Sequence, residues 1–248
     1  MSESSAVTYT RDGMVAIITI NRPERMNRLD AEIVDGLHDR WVQFMGDDAA
    51  RVAVLAGSGK AFSAGADLKN VPHHLYHGMP GIGFPVDKPV VAAVQGWCIG
   101  GAMVLTTMAD IMIVSEDAKF SYPEVKIAFS GGLISNLVTR IPHKIAMELL
   151  LVGDTIDAKR AYEVGYANKI VPLDQLMPTA MDYARRIADT APMPSRMLKR
   201  FASETLPRGP TEIAGIARSQ VDAINRSSDW IEGRAAFTEK RPPKFKGK

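Results

Sequence analysis

Cysteine is almost missing. Cys98 is the only one in 248 residues, so no intrachain disulfide can form. It sits among apolar residues and glycines, Val94-Gln95-Gly96-Trp97-Cys98-Ile99, with no histidine beside it. This context reads as a small buried hydrophobe rather than a nucleophile. Charge of one sign is missing too. The formal net charge is +2, which offers no electrostatic case for nucleic acid or for a membrane surface. Long apolar runs are absent: Val90 to Val94 is far short of the roughly 20 residues that span a bilayer. Residues 1–13 hold no basic stretch followed by an apolar one, so no secretory signal is expected and a cytoplasmic location is the default expectation. No internal repeat is visible. The one biased segment is the basic tail, Lys240 to Lys248, whose plainest reading is a solvated end.

What is present is a regular α/β pattern. Hydrophobic residues make up 46% and charged residues 23%, an ordinary globular balance with enough chain for one large core or two small ones. Met14 to Ile20 is a β-branched run stopped by Asn21-Arg22-Pro23. Asp30 can cap a helix to about Phe44, with Ile33, Leu37, Trp41 and Phe44 at helical spacing. Val52 to Ala56 and Val90 to Val94 read as strands, Ala102 to Met108 as a helix, and Ile111 to Val114 as a further strand. That alternation implies βαβ units and a mainly parallel sheet. From about Ser130 the pattern turns helical. Breaks fall at Pro142, Gly153, Pro172, Pro192 and Pro207, and Met177 to Ala191 and Thr211 to Asn225 are the clearest amphipathic stretches.

Three segments can carry chemistry. Gly59 to Leu68 follows a strand and is dense in small residues, which let backbone N–H groups approach a ligand. Taken alone it is also an ordinary tight turn. Gly96 to Met103 follows another strand and opens a helix at Gly100-Gly101. A helix N-terminus carries unsatisfied N–H donors and the positive end of the macrodipole, which suits a developing oxyanion. Packing alone would also favour such glycines. In Phe120 to Val125, Glu124 stands between Pro123 and Val125. Partial burial would raise its pKa toward general acid–base work, whereas a solvated or salt-bridged role is the commoner fate of such a glutamate.

In this order the three segments resemble the crotonase (enoyl-CoA hydratase/isomerase) superfamily. The likeness runs from Val15 to the tail. It includes Ile20-Asn21-Arg22-Pro23 with Asn27, Ala61 to Leu68, Pro89 to Gly101, Pro123-Glu124, Gly153 to Val171, and Ala236 to Arg241. It implies an α/β fold with a crotonase-type ββα spiral core over residues 1–190. A helical C-terminal region, 191–248, would serve trimerisation. The resemblance further implies an acyl-CoA thioester substrate, no cofactor apart from the coenzyme A that the substrate carries, and no metal. The N–H groups of Ala66 and Gly101 would form an oxyanion hole, with Glu124 as the acid–base. Coenzyme A would lie along Arg25, Met26, Arg28, Ala64, Ala66, Asp67, Leu68 and Lys69, and Phe237 and Lys240 would reach the coenzyme A of a neighbouring subunit. Homotrimers or dimers of trimers are the implied assemblies.

The chain also departs from the family. Hydratases hold their water with two glutamates, the first of which falls where this sequence has Val104. Valine neither transfers a proton nor orients water, so one carboxylate is left. That is the pattern of double-bond isomerases, in which one base moves a proton from the α to the γ carbon. A hydratase using another second group, a thioester hydrolase and a non-catalytic CoA-binding relative are the other readings. Dehalogenase relatives use an aspartate near the position of Ser130-Gly131-Gly132, and none is present there. The segment Val71 to Pro85 holds three of the five histidines, His73, His74 and His77. It is expected as a polar loop bordering the acyl pocket, with a catalytic histidine as the sharper alternative and a metal site as a weaker one.

Overall fold

Two strands buried on both faces organise the chain. In β3 (Val52–Gly57) and β4 (Val90–Val94), side chains alternate between two separate cores. Ala53, Leu55, Val90, Ala92 and Val94 face the main core, while Val52, Val54, Val91 and Ala93 face the other. The period of two turns a continuous β-branched run into two apolar faces, as expected for central parallel strands. The structure, a computed structural model, describes residues 6–129 and 131–247; residues 1–5, Ser130 and Lys248 lie outside the described residues.

The main sheet has six strands in the order β1-β2-β3-β4-β6-β9, where β1 is Val7–Asp12, β2 Val15–Ile20, β6 Ile111–Ser115 and β9 Lys169–Val171. Only the β1–β2 pair is antiparallel. A second sheet is formed by β5 (Trp97–Ile99), β7 (Lys119–Ser121) and β8 (Thr155–Asp157), with β5 parallel to β7. Paired strands with intervening helices give the mixed α/β spiral expected from the sequence.

The first helix, α1 (Ala31–Gly46), begins where the sequence places it. Asp30 accepts from the Ile33 N–H at 3.1 Å, and Ile33, Leu37, Trp41 and Phe44 are buried. At its other end Lys88, itself buried, donates to the carbonyls of Phe44 at 2.9 Å and Asp47 at 2.8 Å. An ammonium group placed on the last carbonyls suits the negative end of a helix. The short α2 (Gly101–Thr107) is buried throughout. Beyond it come α3 (His143–Val152), α4 (Ala158–Glu163), α5 (Leu176–Ala188), α6 (Pro192–Thr205), α7 (Pro210–Asn225) and α8 (Ser228–Glu239). Helix α5 covers the outer face of the main sheet with Leu176, Ala180, Met181, Ala184 and Ala188.

The structure corrects the helical reading of the second half, since β8 and β9 lie within it. Three-residue strands have too little pattern to show a period, and their neighbours in the sheets come from distant sequence. The 71–85 segment, expected as a polar loop, is largely packed inside. His77, Gly78, Met79, Pro80, Ile82 and Gly83 are buried, and Trp41 donates its indole N–H to the Gly78 carbonyl at 2.9 Å. No helix among the described residues is long and apolar enough to cross a membrane.

Candidate active site

One buried amide joins the two loops that frame the site. Asn27 has φ +53°, a left-handed conformation that asparagine tolerates better than most residues. Its Nδ2 donates to the carbonyls of Ser58 (2.8 Å), Ala61 (2.9 Å) and Phe62 (3.1 Å), and its Oδ1 accepts from the Arg22 N–H at 2.8 Å. Ser63 Oγ donates to the Asn27 carbonyl at 2.7 Å and accepts from the Gly65 N–H at 3.1 Å. Main-chain bonds from Ala64 to Met26 (2.9 Å), Leu29 to Gly65 (2.8 Å) and Asp67 to Leu29 (3.1 Å) complete the seam. Asn27→Asp keeps the shape and the tolerated backbone but removes the donors and turns an oxygen toward three carbonyls. It should lower the urea midpoint by a loss of at least about 1–3 kcal/mol, the cost of unsatisfied buried polar groups. An unchanged midpoint would mean that the seam does not depend on this amide.

The second seam runs between the 63–66 and 97–101 segments. Ser63 donates its N–H to the Trp97 carbonyl at 3.0 Å, and Ile99 donates to Ser63 at 3.1 Å. Gly65, at φ +80°, lies so close to the Ile99 carbonyl oxygen that a Cβ there would overlap it. This approach sets two peptide N–H groups beside each other. A methyl carbon built on Gly101 would lie 4.0 Å from the Ala66 nitrogen, and one built on Gly65 would lie 3.6 Å from the Gly101 nitrogen. Gly101 opens α2, so its N–H has no acceptor within that helix.

Glu124 reaches the same place from a third direction. It lies in a 3₁₀ turn, Pro123–Ile127, that Pro123 starts, and it is 7% exposed. A methyl carbon on Gly100 would stand 3.4 Å from its Oε1, in ordinary contact, which places the carboxylate beside this turn. Gly100 itself has φ +55° and ψ −117°, a conformation essentially restricted to glycine. Val104 is buried one turn into α2, three residues past Gly101. The helix therefore offers hydrocarbon at the position that the resemblance assigns to a hydratase's first glutamate.

A cleft of about 500 Å³ opens nearby, lined by Val71, Pro72, His73, Leu75, Tyr76, Phe129, Gly131, Leu133, Thr211, Ala214, Gly215 and Arg218. It adjoins the paired N–H groups through Leu75, whose Cδ2 would lie 3.4 Å from a methyl on Gly101. One wall is thus the 71–76 segment and another is α7.

The chain matches the enoyl-CoA hydratase/isomerase family model over residues 10–248. It belongs to the enoyl-CoA hydratase/isomerase family. It is 35% identical to the (E)-benzylidenesuccinyl-CoA hydratase of Thauera aromatica over 255 residues, covering 97% of this chain and 99% of that protein. It is also 35% identical to the carnitinyl-CoA dehydratase of Citrobacter koseri over 266 residues, with both chains covered in full. Among solved structures, the enoyl-CoA hydratase of Mycobacterium tuberculosis superposes with a TM-score of 0.76 at 33% identity, over 98% of this chain and 100% of that one.

In this enoyl-CoA hydratase/isomerase family member the residues read as coenzyme A contacts fall into two groups. Met26 and Ala64 are joined by the first seam, Ala66 and Asp67 follow it, and Arg28 and Asp67 form an ion pair at 3.2 Å. Asp67 also accepts from the Lys69 N–H at 3.1 Å, while Arg25, Met26, Leu68 and Lys69 are exposed beside the seam. These residues share one rim. Phe237 and Lys240, expected to reach a neighbouring subunit, form the second group: Phe237 is 87% exposed on α8, and Lys240 ends that helix in the left-handed conformation. Cys98 is buried, and burial pushes its thiol up to about 12, which fits the inert reading.

The histidines of the 71–85 segment are divided between the cleft and a buried contact with α7. His77 is buried with its Nε2 3.2 Å from Asp222 Oδ2, and the Tyr76 hydroxyl donates to the same oxygen at 2.9 Å. This clasp ties the turn at Leu75–Gly78 to α7. His38 and His74 pack against the His77 ring, and His74 lies 3.2 Å from Asp35. Only His73 lines the cleft. Among the described residues no three His, Cys, Asp or Glu side chains are grouped so as to hold a metal ion. No local signal announces the clasp, because its partners are 146 and 145 positions apart.

Burial lowers the pKa of His77 from its ordinary 6.5, outweighing the pull of Asp222, and His38, Arg226 and His74 push it the same way. The neutral ring is the folded form. Above about pH 6.5 both folded and unfolded chains hold it neutral, and stability does not depend on it. Below that pH the unfolded chain takes up the proton first, so stability falls. Asp222 adds a second loss at lower pH: the Tyr76 hydroxyl holds its carboxyl below 3.8, and that contribution fades as pH falls through its folded pKa. The melting temperature should therefore drop between about pH 7.5 and about pH 5.5, a window in which His77 acts and Asp222 does not. His77→Gln should flatten that dependence. An equal slope in the variant would remove His77 as its cause.

Proposed function

We propose that the protein binds an acyl-CoA thioester, stabilises its enolate with the N–H groups of Ala66 and Gly101, and moves protons with Glu124. The observation that carries this reading is the meeting of three segments at Gly100-Gly101: the Ala66 amide on one side, the Glu124 carboxylate on the other, and the apolar cleft leading away. A thioester carbonyl accepting from both amides would place its α carbon toward Glu124. The carboxylate removes an α-proton as negative charge develops on the carbonyl oxygen. The rim from Arg25 to Lys69 would then lie along coenzyme A. Nothing in this sequence of events requires a metal or a further cofactor.

With valine at position 104 in place of a second carboxylate, the second act of the enolate is proton return rather than attack by a held water. Glu124 delivers the proton to the γ carbon and the double bond migrates. A lyase reading is favoured by a separate observation, the hydratase and dehydratase names of the two full-length relatives. In that case Glu124 would return the proton to a departing β-hydroxyl, so that one carboxylate serves elimination. The test is a panel of enoyl-CoA and β-hydroxyacyl-CoA thioesters in heavy water, with α-proton exchange, double-bond migration and hydration each followed. Exchange and migration faster than hydration support the isomerase. Fast hydration or dehydration without migration selects the lyase. No exchange with any thioester would overturn both readings and leave a binding protein.

A further inference from the structure

The cleft is apolar at its inner end and cationic at one wall. Leu75 marks the end next to Gly101, and Arg218 reaches the lining from α7. No aspartate or glutamate is among the described lining residues, so Arg218 is their one permanently charged group. The acid one helical turn further on, Asp222, is engaged by Tyr76 and His77 through the same oxygen. Arg218 is hydrogen-bonded to the Tyr76 side chain and its charge is felt by Asp222, but it forms no ion pair with a carboxylate among the described residues. The donors of this exposed guanidinium that Tyr76 does not engage are left to water, and a ligand carboxylate could take their place while supplying a counter-charge. An acyl group that ended in hydrocarbon would offer the guanidinium no such partner.

We propose that Arg218 selects acyl groups carrying a carboxylate remote from the thioester, so that the substrate is the CoA monothioester of a dicarboxylic acid. The inference rests on the reading of this cleft as the acyl site. The thioester lies at Gly101, the apolar body passes Leu75 and the Tyr76 ring, and the distal carboxylate pairs with Arg218. Two parallel N–H bonds from the guanidinium would fix its orientation. An acyl group with a fixed positive charge would be repelled from the same wall.

Binding of saturated thioesters tests this without depending on the reaction catalysed. Glutaryl-, adipoyl- and suberoyl-CoA would be compared by calorimetry with the monocarboxylic acyl-CoA of equal length, in the unmodified protein and in Arg218→Met and Arg218→Lys. Arg218 is exposed, so neither substitution threatens folding. The unmodified protein should bind at least one dicarboxylic thioester at least about tenfold more tightly than its monocarboxylic match, the worth of one charge-assisted bond. Arg218→Met should erase or reverse that preference by weakening the dicarboxylic thioester much more than the monocarboxylic one, and Arg218→Lys should keep part of it. Equal weakening of both classes by Arg218→Met would place the guanidinium on coenzyme A and overturn the proposal. Absence of any preference in the unmodified protein would overturn it as well, with the acyl-CoA reading intact. Failure of every thioester to bind would sink that reading along with it.

Discussion

Glu124→Gln should cut turnover by about 10²–10⁴, the usual contribution of a positioned general base, with acyl-CoA affinity little changed. The amide matches the carboxylate in shape, so the packing against Gly100 and the turn started by Pro123 should survive. What it cannot do is take a proton. Proton exchange separates this from a loss of fit. If the enolate forms through Glu124, α-proton exchange in heavy water should fall with turnover. Exchange that persists in the variant while product formation stops would assign Glu124 to the second proton transfer alone. Full activity would move the chemistry to another group, and His73 would be the first to consider because it is the one histidine lining the cleft.

The second large effect should come from Gly101→Pro. Proline is well tolerated at the first position of a helix, where its missing N–H has no helical acceptor to lose. The fold should therefore persist while one of the two paired donors disappears. Removing one such donor typically costs about 10²–10³ in rate, and here the loss should appear in kcat more than in KM. Gly101→Ala is the control. It keeps the N–H and adds a methyl that meets Leu29 at 3.2 Å and Leu75 at 3.4 Å, both flexible side-chain ends that can give way. A proline variant no worse than the alanine one would show that bulk, not the lost donor, explains the effect.

The parts of the fold legible in the sequence were those whose pattern repeats. The β-branched runs in β3 and β4 and the spacing of Ile33, Leu37, Trp41 and Phe44 in α1 declare themselves because each element buries its own residues over several periods. Strands β5, β7, β8 and β9 were not legible, being short and defined by the strands they pair with. β1 alternates weakly because only its first residue is fully buried. At the site, the glycines were visible for a physical reason: at Gly65 a side chain would strike a carbonyl oxygen, and Gly100 adopts a backbone conformation that favours glycine. Glu124 was singled out by its neighbours and its burial was then found. The Asn27 seam was not readable as such, since an asparagine in a loop gives no hint of three distant carbonyls. Arg28 and Asp67, each read as a coenzyme A contact, turn out to hold each other.

The donors proposed for the enolate belong to peptide units, whereas the cleft is bounded by the side chains of the 71–76 segment and α7. Chemistry and selectivity are then inherited separately. A point mutation can exchange any cleft side chain without deleting either donor, because every residue except proline carries the same N–H. A library that randomises the cleft would sample new substrates while most of its members kept the power to stabilise an enolate. The scaffold is in that sense modular within a single chain, and its drift toward new acyl groups need not pass through inactive intermediates.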